Sequence, residues 1–213
     1  HRDVKPGNIL LVDRGGIADL VKVLDFGLVK DVGVGARGGA GAEPELSMAD
    51  TITGTPLYIA PETVTAPDTA DARADLYALG AVGYWLLTGT HVFRGNSTME
   101  VCVHHLHSVP QRPSDRLGKP VSVDLETLLL SCLAKRPEDR PPSAGALRER
   151  LRACAAAGRW THERAARWWA DHRADLRARG AAAKATATTV KAAGPQLTVT
   201  RLAESPRAID LGR

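Results

Sequence analysis

The chain has 213 residues, 44% of them hydrophobic and 24% charged. That balance fits one good-sized globular domain, or a domain plus a tail, and excludes fibrous and wholly disordered classes. No apolar run approaches the ~18 residues of a membrane span. The net charge of +4 is uneven: residues 158–213 carry 11 Lys/Arg against 5 Asp/Glu, and the first 157 carry 17 against 19. A basic tail suits either an acidic partner or a solvated, Arg-rich helix face, and the spacing of its arginines favours the face. No nucleic-acid partner is expected.

In chain order, Ile9–Val12 is a short apolar run, Asp13-Arg14-Gly15-Gly16 a turn, and Leu20–Leu24 a second run, which together predict a β-hairpin. Residues 31–50 hold five glycines and no periodicity, so they read as a long loop. From Ala72 to Leu87 the pattern is helical and apolar nearly all round, which predicts a helix inside the domain, stopped by Gly89. Ser97-Thr98-Met99-Glu100 fits a capping box for a helix carrying Met99, Cys102, Val103 and Leu106. Leu125, Leu128, Leu129, Cys132 and Leu133 mark another helix. Ser143 caps a helix through Leu147 and Leu151, after breaks at Pro137 and Pro141-Pro142. Thr161 caps a last helix with Ala165, Trp168, Trp169, His172 and Leu176 along one side, and from Gly180 the chain reads as a linker. The cysteines, Cys102, Cys132 and Cys154, are odd in number and sit at helical apolar positions, as reduced thiols of a cytoplasmic protein do. His104, His105 and His107 do not make a zinc set, because the first two cannot share a helix face and no fourth ligand is near.

Three stretches carry chemistry in combination: His1-Arg2-Asp3 with Asn8, Asp25-Phe26-Gly27, and Ala60-Pro61-Glu62. Each alone is a weak signal. In this order, with a hairpin and a glycine-rich loop between them, they resemble the C-terminal lobe of a eukaryotic-like (Hanks-type) serine/threonine protein kinase. The resemblance runs from His1 to about Leu151, and the Ala/Arg-rich composition points to a bacterial member. It implies an α+β, protein-kinase-like fold whose large lobe is mostly helical with a small hairpin. The expected organisation is a lobe over residues 1–156, a helical extension over 157–179 and a linker-like tail over 180–213.

The resemblance also assigns roles. Asp3 accepts the proton of the substrate hydroxyl, Lys5 contacts the transferring phosphate, and Asn8 and Asp25 supply oxygen ligands to Mg²⁺, with ATP as phosphoryl donor. Lys5 and the Gly54-Thr55 segment favour Ser/Thr over Tyr acceptors, with Thr55 bonding Asp3 and Lys5. Arg2 receives a phosphothreonine, for which Thr51 and Thr53 are the candidates, and autophosphorylation in trans would supply it. Glu62 pairs with Arg140 to hold the substrate segment, and Asp75 accepts backbone N–H groups of the catalytic loop. The partners implied are proteins bearing Ser or Thr.

No G-x-G-x-x-G followed by a strand Lys occurs in these residues, so the ATP clamp of a kinase N-lobe is missing. The expectation is a fragment that binds ATP poorly and transfers phosphate barely or not at all. Two rival readings stand beside it. One is a small-molecule phosphotransferase, which generally lacks the long segment ending in Ala-Pro-Glu. The other is a pseudokinase-like or orphan-lobe binding module, against which intact Asp3, Asn8 and Asp25 argue. Trp168-Trp169 among arginines fits packing against the lobe better than stacking on bases.

Overall fold

The computed structural model describes residues 1–14, 17–25 and 56–191. Near the start Pro6–Asn8 form one 3-10 turn, with proline at its first position where a missing N–H costs nothing. The hairpin follows as β1 (Ile9–Arg14) and β2 (Ile17–Val23), the one two-stranded sheet among the described residues. Strand β1 runs through Arg14, into residues expected to turn.

Among the described residues seven α-helices come next: α1 (Pro61–Thr65), α2 (Ala72–Thr88), α3 (Thr98–His107), α4 (Pro113–Leu117), α5 (Val123–Cys132), α6 (Ala144–Ala153) and α7 (His162–Lys191). The Asp71 carboxylate caps α2 by accepting from the Arg73 N–H at 2.8 Å, and Gly89 ends it at φ 70°, a conformation only glycine adopts freely. Ser97 caps α3 through the Glu100 N–H at 3.1 Å, but the Glu100 carboxylate takes the N–H of Asn96, one residue before the expected box partner. Ser143 caps α6 through Ala146. Helix α7 continues to Lys191, beyond Gly180 where a linker was expected, because the alanines after that glycine favour helix strongly enough to carry it on.

By packing, the chain forms two units. Among the described residues, one comprises those within His1–Leu10 and Val23–Ala157, the other those within Leu11–Lys22 and those from Gly158 to Lys191. In the first, α2 packs most extensively on α5. A Cβ on Gly80 would stand 2.6 Å from the Cys132 Cβ, and one on Gly83 would stand 2.6 Å from Leu129 Cδ2, so both glycines permit the close approach. One core cluster holds Ala60, Tyr77, Ala81, Tyr84, Val92, Phe93 and Leu133, and another holds Leu76, Leu128, Cys132, Leu147 and Cys154. Each large buried side chain contributes about 1.5–3 kcal/mol. The three cysteines are free and buried. Helix α2 is not enclosed all round: Leu79 and Leu86, seven residues apart and so on one stripe, are exposed.

Candidate active site

The loop from His1 to Asn8 is organised by its own turn and by one carboxylate of α2. Asp75, in the first turn of that helix, accepts from the Arg2 N–H at 2.8 Å through one oxygen and from the His1 backbone nitrogen at 2.6 Å through the other. An acceptor-only group thus satisfies two loop donors that have no ladder to join. Arg2 holds φ 72°, a left-handed conformation uncommon for a residue with a side chain, and its own side chain is exposed. Asp25 is also left-handed, at φ 56°. Sparsely populated conformations of this kind concentrate where a fold aims functional groups.

Asn8 sits at the end of the 3-10 turn, 6% exposed. Its Nδ2 donates to the Asp3 backbone oxygen at 2.8 Å and to Asp3 Oδ2 at 2.9 Å. Both amide protons are therefore spent on Asp3, which fixes the orientation of the amide and leaves Oδ1 as the free acceptor. Lys5 Nζ reaches the same Asp3 Oδ2 at 2.6 Å. One oxygen of the Asp3 carboxylate is thus held by an amide and an ammonium, and the other is open to an incoming donor. Both side chains of the Asp3–Lys5 pair are about half exposed, so the pair is a geometric constraint more than a source of stability.

The second carboxylate arrives through the hairpin. The Leu24 N–H donates to the Asn8 carbonyl at 2.8 Å, closing the hairpin's base and delivering Asp25 one residue later. His1 reinforces that closure. Its Nδ1 accepts from the Asp3 N–H at 3.3 Å, so Nε2 carries the proton and donates to the Leu24 carbonyl at 2.8 Å. The motif reading gave His1 no role of its own. In the fold it links the loop that bears Asp3 to the residue before Asp25, a connection of 23 residues that spacing does not announce.

Helix α1 is anchored by Glu62 and Arg140. The guanidinium donates to both Glu62 oxygens, at 2.6 and 2.7 Å, and to the carbonyls of Ala134, Arg73 and Lys135 at 2.8–3.0 Å. It also lies over the Tyr77 ring, 4.9 Å from the centroid. Just upstream, Tyr58 stands edge-on to His91, and burial pushes its phenol up to about 12. Phe26, Gly27, the glycine-rich stretch, Thr51, Thr53 and Thr55 lie outside the described residues.

A further contact was invisible in the sequence. Asp19, at φ 59° within β2, accepts the indole N–H of Trp160 through one oxygen and of Trp169 through the other, both at 2.5 Å. Trp168 stacks on His172 with centroids 4.5 Å apart.

Comparison with known proteins decides the lineage. The family model described as protein kinase domain matches residues 1–151. The chain belongs to the protein kinase family. Serine/threonine-protein kinase Pkn1 of Myxococcus xanthus is 44% identical over 151 residues, 71% of this chain and 20% of that protein. Serine/threonine-protein kinase pkn3 of the same organism is 39% identical over 154 residues, 72% of this chain and 27% of that protein. Serine/threonine-protein kinase PknB of Mycobacterium tuberculosis is 38% identical over 151 residues, 71% of this chain and 22% of that protein. The chain thus spans about a fifth to a quarter of the length of these curated bacterial relatives.

Protein kinases use ATP and Mg²⁺, and the donors present fit a hard divalent cation. Asn8 Oδ1 and the exposed Asp25 carboxylate are both oxygen donors of the kind such a cation takes, and the orientation of the first is already fixed by Asp3.

Proposed function

We propose that this kinase chain carries the catalytic loop, metal-binding carboxylate and substrate segment of a serine/threonine protein kinase, and forms its C-terminal lobe. The observation that carries the reading is the Asp3–Lys5–Asn8 constellation, in which one carboxylate oxygen orients both the amide and the ammonium while the other stays open. In this reading the open oxygen of Asp3 accepts the proton of a Ser or Thr hydroxyl. Lys5 lies beside it, placed to meet charge on the transferred phosphoryl group. Asn8 Oδ1 and Asp25 hold Mg²⁺, which supplies charge neutralisation at the phosphates when bound. Arg2, left-handed and exposed, receives a phosphate placed on Thr51 or Thr53. Such a lobe works in the cytoplasm on protein substrates. Without a glycine-rich phosphate loop and strand Lys, the 213 residues bind ATP weakly and transfer phosphate slowly or not at all by themselves.

The test uses the protein expressed from its native gene, with labelled ATP and a Ser/Thr-bearing protein acceptor. Asp3→Asn is expected to lower turnover by roughly 10²–10⁴-fold while nucleotide affinity changes little. Unchanged turnover in that variant would exclude Asp3 as the base. A parent protein with no transfer under any condition would favour a binding module instead.

A further inference from the structure

Helix α3 is held to its unit by one narrow face, on which Val101, Cys102 and His105 are buried, while Met99 and Val103 are exposed. Its last turn is pinned from two sides. Lys135 Nζ donates to the His104 and His105 carbonyls at 3.3 and 2.7 Å and lies 4.5 Å from the centroid of the Phe93 ring. The His105 imidazole, 0% exposed, packs against two rings. Phe93 meets it edge-on with centroids 5.1 Å apart, and Tyr77 brings its hydroxyl to 2.8 Å from Nδ1. Nε2 is turned toward the Leu57 main chain without completing a hydrogen bond to it.

This cage suits a neutral imidazole. The groups around it bring positive charge: Lys135 follows α5, Arg140 lies over the Tyr77 ring, and His104 is the neighbour on α3. The acid that α1 brings where it packs on α3 is Glu62, and both of its oxygens are taken by Arg140. On α3 itself Glu100 reaches toward His104, at 3.9 Å. Among the described residues, then, no carboxylate answers a charge on His105. Burial, helped by the Lys135 cation, pushes its imidazole down from 6.5 to about 4.

We infer that His105 is an acid-released latch: once protonated it leaves its cage, and α3 comes away from Tyr77 and Phe93 while the packing of α2 on α5 stays closed. That packing survives because it is made by Leu76, Leu128 and Cys132 with Leu147 and Cys154, a cluster in which His105 has no part. The opening bares Cys102, 1% exposed in the closed form. The latch rests on packing alone and not on the catalytic reading above. In the open form His105 is solvated and titrates near 6.5, so closure is fully favoured above that pH and is lost as pH falls toward 4. Between about pH 7.5 and pH 5 the open fraction of α3 should therefore rise roughly thirtyfold.

The test is amide exchange on the 213-residue chain at those two pH values, read as protection relative to the unstructured rate. The amides of α3 should lose protection roughly thirtyfold at the lower pH, and those of α2 and α5 should keep theirs. Labelling by dithiodipyridine, referred to a free cysteine peptide at each pH, should speed by a similar factor at Cys102 and not at Cys132, buried on α5. His105→Asn lacks the titrating group, so its α3 protection should be nearly equal at both pH values. The parent alone supplies a further reading that stands even where that variant fails to fold: by NMR the His105 ring should titrate well below 6.5. Protection of α3 that does not change with pH overturns the latch. So does loss of protection in α2 and α5 together with α3, which makes the event global unfolding. A pH dependence that persists in His105→Asn, or a His105 ring that titrates at or above 6.5, assigns the effect to another group and also overturns it.

Discussion

Replacing Arg140 by Met should remove a large part of the stability of the helical unit. The Arg140 side chain is fully buried, and Glu62 is only 12% exposed. The substitution deletes five donated bonds and leaves a nearly buried carboxylate with no counter-charge. Breaking such a pair from one side costs about 3–5 kcal/mol. Domain stabilities are about 5–15 kcal/mol, so the variant should be marginal. With a urea slope of about 2 kcal/mol/M, the midpoint should fall by about 2 M. Arg140→Lys offers one ammonium for a two-pronged site and should lose about half as much. Glu62→Leu combined with Arg140→Met removes both charges and should recover most of the loss, since a buried pair exchanged for apolar groups is often neutral. Urea titrations followed by circular dichroism read all three. A midpoint shift below about 0.5 M for Arg140→Met, or a double variant no better than the single one, would refute the reasoning.

Gly80→Ala should cost about 1–3 kcal/mol by thermal or urea unfolding, because the added Cβ meets Cys132 at 2.6 Å between two packed helices. His105 is fully buried beside the Tyr77 hydroxyl, 2.8 Å from its Nδ1, and burial, helped by the nearby Lys135 charge, pushes the imidazole down to about 4 from 6.5. The fold therefore favours neutral His105. Its contribution is fully present above pH 6.5 and is lost as pH falls toward 4, by up to about 3 kcal/mol, and His105→Asn should flatten that part of the stability–pH curve. Asp75→Asn should slow turnover of the native protein with little change in unfolding midpoint, since the amide keeps one acceptor for the loop but not two; measuring kcat and the urea midpoint on one preparation separates these effects.

Local signals in the sequence were strong where chemistry is local. Ser97 and Ser143 announce helix starts because a short polar side chain has one obvious use there, and Gly89 announces a stop for a similar reason. The pairing of Glu62 with Arg140 was legible only through resemblance, since 78 residues separate them. Helix α4 was missed because five residues hold too little periodicity to register. The exposure of Leu79 and Leu86 was missed because hydropathy reports which side chains prefer burial, not which neighbours arrive. Glu126 was not singled out, yet it is buried and accepts from Arg112 and from the Ser114 N–H, which hold its carboxyl below the usual range despite the opposing cost of burial. Asp19 was not singled out because its partners lie 141 and 150 residues away.

Arg140 has a genetic consequence. Three of its five bonds end on main-chain carbonyls, those of Arg73, Ala134 and Lys135. A carbonyl is present whatever side chain the codon specifies. In a saturation library, positions 73 and 134 should therefore accept many replacements without loosening this anchor, while position 140 accepts almost none and position 62 tolerates a change only alongside a matching one at 140. The permitted variation around the joint is thus governed by which end of each bond is encoded and which end every amino acid supplies.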